Sequence, residues 1–135
     1  MAKPLAIATA LIRNAAGQVL LVRKQNTRAF MQPGGKIDAG ETSVGALLRE
    51  LEEELGLKLR GADLSFLGHF EAEAAHEAAT RIAADLYALQ EPIADQAAQP
   101  AQEIAEVIWV NPRHTGLLPL APFTRDTVLP LAILG

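Results

Sequence analysis

Glu50, Glu53 and Glu54 are the residues of this chain best suited to chemistry, because their spacing places all three carboxylates within about one turn of a helix. With Glu50 as origin and ~100° per residue, Glu53 falls near ~300° and Glu54 near ~40°, whereas Val44, Leu48, Leu51 and Leu55 fall between ~100° and ~160°. The pattern predicts two stripes, one apolar and turned to the core, the other presenting three carboxylates. Like charges at i,i+3 and i,i+4 repel by a few tenths of a kcal/mol per exposed pair, so an unliganded helix gains nothing from the arrangement. Mg²⁺ takes oxygen ligands in a near-octahedral shell and bridges to substrate phosphates, which would turn that repulsion into affinity; Mn²⁺ is the expected substitute. Arg49 stands one turn before Glu53, where it can orient that carboxylate. Viewed alone, a glutamate-rich helix also reads as a solvated face.

The elements that must position these groups are legible in outline. A helix is predicted over Ser43 to Leu55, with Thr42 or Ser43 as N-cap and Gly56 as the left-handed residue that ends it. Strands are predicted at Leu5 to Arg13 and Val19 to Val22, joined by the turn residues 14–17, and at Leu64 to Phe70, Thr80 to Leu89 and Glu106 to Val110. Phe30, Met31 and Gln32 read as a short extended piece, and Pro33, Gly34 and Gly35 as the start of a loop with a tight turn. Glu71 to Ala79 is taken as a loop despite its helical composition, and Glu91 to Gln102 as an exposed connection. A last helix near Phe123 to Ile133 should kink at Pro130. Interleaved strands and helices of this kind predict an α/β architecture, a mixed sheet covered by helices on its faces.

Length and composition limit the alternatives. At 135 residues the chain fits one domain, residues 1–135, and its 50% hydrophobic and 21% charged content is that of a folded protein. It contains no cysteine, so any metal must sit on oxygen or imidazole. No apolar run approaches the ~20 residues that span a bilayer, and the N-terminus lacks a signal-peptide core, so a cytoplasmic location is expected. The net charge of −4 offers no global field for a polyanion, and nucleic-acid binding is not expected. Four cations, Arg23, Lys24, Arg28 and Lys36, nevertheless lead into the acidic helix; a solvated strand end and a phosphate-contacting role are equally open for them.

The stretch from Gly35 to Leu57 resembles the signature of the Nudix hydrolase family. That signature runs glycine, five residues, glutamate, seven residues, Arg-Glu-aliphatic, one residue, Glu-Glu, one residue, glycine and an aliphatic. Gly35, Glu41, Arg49, Glu50, Leu51, Glu53, Glu54, Gly56 and Leu57 fill its positions in order. The resemblance implies an α/β/α sandwich and hydrolysis of a pyrophosphate bond in a small nucleotide-like substrate. It also implies that Glu50, Glu53 and Glu54 ligate Mg²⁺, that the Gly34 carbonyl adds a ligand, and that Glu41 and Arg49 support them. Family members often use a further glutamate outside this stretch. Glu103, shortly before the Trp109 strand, is the favoured candidate as metal ligand or base, with Glu53 as the other base candidate and Glu71, Glu73 and Glu77 as rivals from the earlier loop. The expected reaction is in-line attack of a metal-activated water on phosphorus, with Arg23, Arg28 and Lys36 binding the anionic substrate. His69, His76 and His114 can contact phosphate or carry protons, although isolated histidines are more often structural. Modified deoxynucleoside triphosphates and nucleoside diphosphate sugars such as ADP-ribose are both compatible substrates. A catalytically silent nucleotide-binding regulator of the same fold is the alternative from another class. A homodimer is compatible with the chain, but nothing in the residues requires one.

Overall fold

The computed structural model describes residues 3–74 and 80–134. Eight main elements follow in order: β1 (Leu5–Leu11), β2 (Val19–Lys24), β3 (Gly34–Lys36), α1 (Ser43–Leu55), β4 (Leu64–Glu73), β5 (Arg81–Leu89), β6 (Ile104–Val110) and α2 (Leu129–Leu134). Four strands form a sheet in the order β3-β1-β5-β4, and β2 pairs with β6 in a second ladder. β1 runs parallel to β5, while the β1–β3, β4–β5 and β2–β6 pairs are antiparallel, so the mixed character expected from the sequence is observed. Alternation along β1 divides the core. Ala8, Ala10 and Ile12 face Leu47, Leu51 and Leu55 of α1, whereas Leu11 joins Leu86, Phe123, Val128 and Leu129 on the other side. Helical segments therefore cover both faces, in an α/β/α sandwich. Each wholly buried leucine of α1 contributes about 1.5 to 3 kcal/mol to holding it on the sheet.

α1 begins and ends where its local signals place it. The Thr42 side chain accepts a hydrogen bond from the Gly45 N–H at 3.0 Å, and Gly56 takes a left-handed φ of 71° while its N–H bonds the Glu52 carbonyl. The apolar stripe of Val44, Leu48, Leu51 and Leu55 faces the core as expected, but the covered arc is wider than that stripe. Ala46, Leu47, Leu51, Glu54 and Leu55 are the buried residues, and Val44 and Leu48 are only half-buried. The covered arc thus runs from ~320° to ~140°, with its midpoint near ~50°, so that it takes in Glu54 as well as the apolar stripe. The cause lies outside the helix: the connection after β5 folds back along its C-terminal end, as the Gln99 N–H to Leu55 carbonyl bond (3.1 Å) and the Ala101 N–H to Glu54 carbonyl bond (2.9 Å) show.

Three other expectations need correction. Gly34 and Gly35 do not form a tight turn; they open β3 and pair with Thr9 and Ala8 of β1, because a sheet partner supplied by distant residues outweighs the local breaker signal. Phe30 and Met31 are extended as expected, through isolated bridges to Leu120 and Val22. Glu71 and Glu73 belong to β4, where Glu73 pairs with Arg81, so the hairpin is longer than predicted; residues 75–79 of that proposed loop, including His76 and Glu77, lie outside the described residues. The final helical segment runs over residues 122–134, and its irregularity lies just before Pro130. Thr124–Val128 is wound as a π-turn, and the Leu129 N–H reaches the Thr124 carbonyl before α2 starts. A proline at position 130 cannot bond the Asp126 carbonyl and crowds it, which favours the wider turn just upstream.

Candidate functional site

Glu50 and Glu54 project from α1 and Glu103 from the turn before β6, and one carboxylate oxygen from each lies within 4.8 Å of the others. The two backbone bonds that tie residues 99 and 101 to the end of α1 bring Glu103 there, and a third runs from the Gln25 N–H to the Glu103 carbonyl at 2.7 Å. The first two also satisfy carbonyls at the end of α1 that would otherwise lack partners. Lys24 stands at the edge, its Nζ 3.5 Å from Glu103 Oε1. Glu54 is only 4% exposed, and its Oε2 has no hydrogen-bond partner among the described residues. Burial first, then the Glu50 charge, pushes its carboxyl well above the ordinary carboxylate range, with Lys24 pulling the other way.

Arg49 organises the rim. Its Nε and Nη2 bind both oxygens of Glu41 at 2.8 Å, Nη1 binds Glu50 Oε1 at 2.9 Å, and Nη2 also donates to the Lys36 carbonyl at 3.2 Å. The Arg49 guanidinium, helped by the Asp38 N–H, holds Glu41 down to about 2. One arginine therefore clamps the loop after β3 to the helix and fixes the direction of Glu50. Gly35 completes the packing, since a Cβ built there would lie 2.7 and 2.8 Å from the two Glu50 oxygens.

Glu53 is not brought into this cluster. Its side chain is 53% exposed and, among the described residues, reaches only Arg49, at 3.5 Å. Among the cations, Arg23 is engaged by Glu106 (2.7 Å) and the Thr27 carbonyl (2.8 Å), Arg28 is exposed, and Lys36 and Lys24 both line a cleft beside Gly34 and Gly35. Glu73 lines the same cleft from β4, whereas Glu71 does not. His69 bonds Asp85 at 2.7 Å across β4 and β5, and His114 sits in an exposed turn after β6. Sequence reasoning missed Thr9 and Gln32, which line the cleft but carry no motif.

The arrangement suits a hard divalent cation. Three carboxylates converge, one of them buried with an unmet oxygen, and such a group is costly unless a proton or a cation compensates it. Among the described residues no helix is long and apolar enough to cross a membrane.

Known proteins share this framework. The E. coli dihydroneopterin triphosphate pyrophosphohydrolase superposes with a TM-score of 0.78 at 18% identity, covering 98% of this chain and 100% of that one. A MutT NUDIX hydrolase from Burkholderia pseudomallei gives 0.77 at 23% identity, over 96% and 98% of the two chains. At that identity the likeness establishes the fold. In sequence, the 8-oxo-dGTP diphosphatase of Haemophilus influenzae is 44% identical over 73 residues, 51% of this chain and 54% of that protein. The RNA pyrophosphohydrolase of Psychrobacter cryohalolentis is 44% identical over 54 residues, 40% of this chain and 31% of its own length. The chain thus spans about half or less of the curated relatives it matches. The NUDIX domain family model, however, matches residues 3–131, nearly the whole chain, and with the shared fold this places the chain in the family of NUDIX domains.

Proposed function

We propose that the chain is a Mg²⁺- or Mn²⁺-dependent hydrolase that cleaves a pyrophosphate bond in a nucleoside triphosphate or a nucleoside diphosphate-linked substrate. The observation that carries this reading is the convergence of Glu50, Glu54 and Glu103 around an unpartnered carboxylate oxygen, beside a cleft lined by Lys24 and Lys36. Glu50, Glu54 and Glu103 would hold the ion, with the Gly34 carbonyl as a further oxygen ligand. Bound there, the cation supplies Lewis-acid polarisation and charge neutralisation at the phosphate. Lys24 and Lys36 bind the phosphate chain, with Arg28 at the exposed approach. Arg23, tied to Glu106, holds β2 against β6 and supports that wall.

Proton removal from the attacking water falls to Glu103 or Glu53. Glu103 is favoured as ligand or base because it shares the cluster and keeps a side chain 57% exposed, reachable by water. Glu53, exposed beside Arg49, is the second candidate, acting on the ion directly or through a water. Arg49 and Glu41 act by holding Glu50 in place. The relatives' names include an RNA pyrophosphohydrolase, but the acidic balance of this chain favours a small nucleotide over a polyanion.

The test is phosphate release across a panel of nucleoside triphosphates and nucleoside diphosphate sugars, with Mg²⁺ and again with EDTA. Turnover of at least one substrate, abolished by EDTA and restored by Mg²⁺ or Mn²⁺, is expected. Undiminished turnover without metal contradicts the mechanism. Binding with no turnover across the panel makes the chain a nucleotide-binding regulator instead.

A further inference from the structure

Lys24 belongs to two surroundings at once. Its Nζ lies 3.5 Å from Glu103 Oε1, at the edge of the three converging carboxylates, and the same side chain lines the cleft beside Gly34 and Gly35. The two other cations nearby differ from it. Arg49 meets Glu50 but is locked by two hydrogen bonds to Glu41, whereas Lys24 has no second ion pair among the described residues. Lys36 lines the same cleft and, among the described residues, its side chain pairs with no carboxylate.

The main chain around Lys24 is fixed. Its carbonyl accepts from the Thr27 N–H at 3.2 Å and from Thr27 Oγ1 at 2.9 Å, and the Gln25 N–H donates to the Glu103 carbonyl at 2.7 Å. The β2–β6 ladder shifts register between Arg23, opposite Glu106, and Lys24, opposite Ile104, and irregularities of this kind beside a site re-aim a side chain toward it. Only the four-carbon stem is left to move, and it carries a compact charge with rotatable donors. A divalent ion held by Glu103 and this ammonium repel one another. The pair that the ion disrupts is weak, since the Glu103 side chain is 57% exposed, and a phosphate chain in the cleft offers the ammonium a stronger acceptor.

Resting on the proposed divalent-metal site and pyrophosphate substrate, we infer that Lys24 is an exchangeable counter-ion, which neutralises Glu103 until a divalent cation takes that carboxylate and then turns into the cleft to hold the substrate's phosphate chain. Lys24 therefore opposes the metal alone and supports the metal together with a phosphate ligand, so it couples the two binding events. Removing the ammonium also favours a proton on Glu54, whose charge it helps to hold. A divalent ion is repelled about twice as strongly as a proton, however, so the metal gains on balance. Lys36, unpaired with the carboxylates, acts on the phosphate chain alone.

The test needs two equilibrium titrations and no turnover. Mn²⁺ alone is titrated into the intact protein and its variants, followed by electron paramagnetic resonance, and α,β-methylene-ADP, whose bridging carbon resists cleavage, is then titrated at saturating Mn²⁺. Lys24→Met and Lys24→Gln should each bind Mn²⁺ alone at least about threefold more tightly than the intact protein. The same two variants should bind the nucleotide analogue at least about tenfold more weakly. Lys24→Arg, which keeps the charge, should stay close to the intact protein in both titrations. Lys36→Met should weaken the analogue without tightening Mn²⁺. Thermal melts identify a variant that fails to fold, and two neutral replacements of different polarity guard against that loss. Mn²⁺ affinity that is unchanged or lower in the folded neutral variants overturns the inference, as does analogue affinity that does not fall; a loss of both together makes Lys24 a merely structural residue. If the intact protein and every variant bind Mn²⁺ alike, the proposed metal site stands and the inference falls alone. If none of them binds Mn²⁺, the metal site falls and the inference with it.

Discussion

Glu54→Gln is expected to lower turnover at saturating Mg²⁺ by at least about 100-fold while making the metal-free protein more stable at pH 8. The loss follows from removing a charged ligand from the centre of the cluster, where Glu54 is buried with Oε2 unpartnered. The gain follows from the direction of its pKa shift. Its carboxyl is raised in the fold above the ordinary value of 4.5, chiefly by burial and then by Glu50. A raised carboxylate contributes stability that is fully present below the unfolded value and is lost as pH climbs through the folded one. Metal-free wild type should therefore weaken from about pH 5 upward, whereas an isosteric amide at position 54 carries no proton to lose. A difference of about 1 to 2 kcal/mol at pH 8 is expected, read as a midpoint about 2 to 6 °C higher for the variant. Mg²⁺ should narrow or reverse that order, because only the wild type gains the full binding energy. Because bound metal requires the deprotonated carboxyl, Mg²⁺ affinity of the wild type should rise over the same pH range. Near-normal turnover of Glu54→Gln would remove this residue from the metal site.

Gly34→Ala is expected to cost about 3 to 5 kcal/mol, a large part of the stability of a domain this size. A Cβ at this position would overlap the Ala8 carbonyl oxygen and lie 2.7 Å from Thr9 Cα, and neither backbone group can move without breaking the β1–β3 ladder. Gly34 also holds a φ of 146°, which side-chain-bearing residues rarely adopt. Gly56→Ala gives the comparison: φ is again positive at 71°, but no atom stands within 4 Å of the new Cβ, so the conformational cost of about 1 kcal/mol acts alone. Gly35→Ala should behave differently from both, because its Cβ meets the Glu50 carboxylate, a side chain that can swing aside. That variant should fold and lose activity. Urea denaturation of the three variants reads the order directly, and a Gly34→Ala midpoint close to that of Gly56→Ala would show that the close approach has been overestimated.

What the sequence made legible depended on how local each signal was. α1 was readable to its ends because Thr42 caps it through a bond three residues away and Gly56 terminates it by its own conformation. The fold class followed from strand and helix alternation. The burial of Glu54 was not readable, since the segment that covers it comes from residues 97–103, held by bonds to Leu55 and Glu54 carbonyls that no helical period encodes. β3 was hidden for a similar reason: two glycines read locally as a break, and only pairing with Ala8 and Thr9 makes them a strand. Chain alternation left Thr9 unremarkable, and the hydrogen bond from Thr124 that holds Gln32 spans 92 residues. Glu103 was named through the spacing of a known family, while its approach to α1 rests on the turn that precedes β6.

The claim that two separate elements, α1 and the turn before β6, build one metal site is tested most directly by titrating Mn²⁺ into wild type and Glu103→Gln while following the ion by electron paramagnetic resonance. The Glu103 carboxylate stands with those of Glu50 and Glu54 in the structure, so its loss should weaken Mn²⁺ binding by at least about tenfold and reduce turnover with it, while the thermal midpoint of the metal-free protein changes little. Unchanged Mn²⁺ affinity and unchanged turnover in Glu103→Gln, beside losses of both in Glu53→Gln or Glu73→Gln, would contradict the account and move the outer ligand to one of those residues.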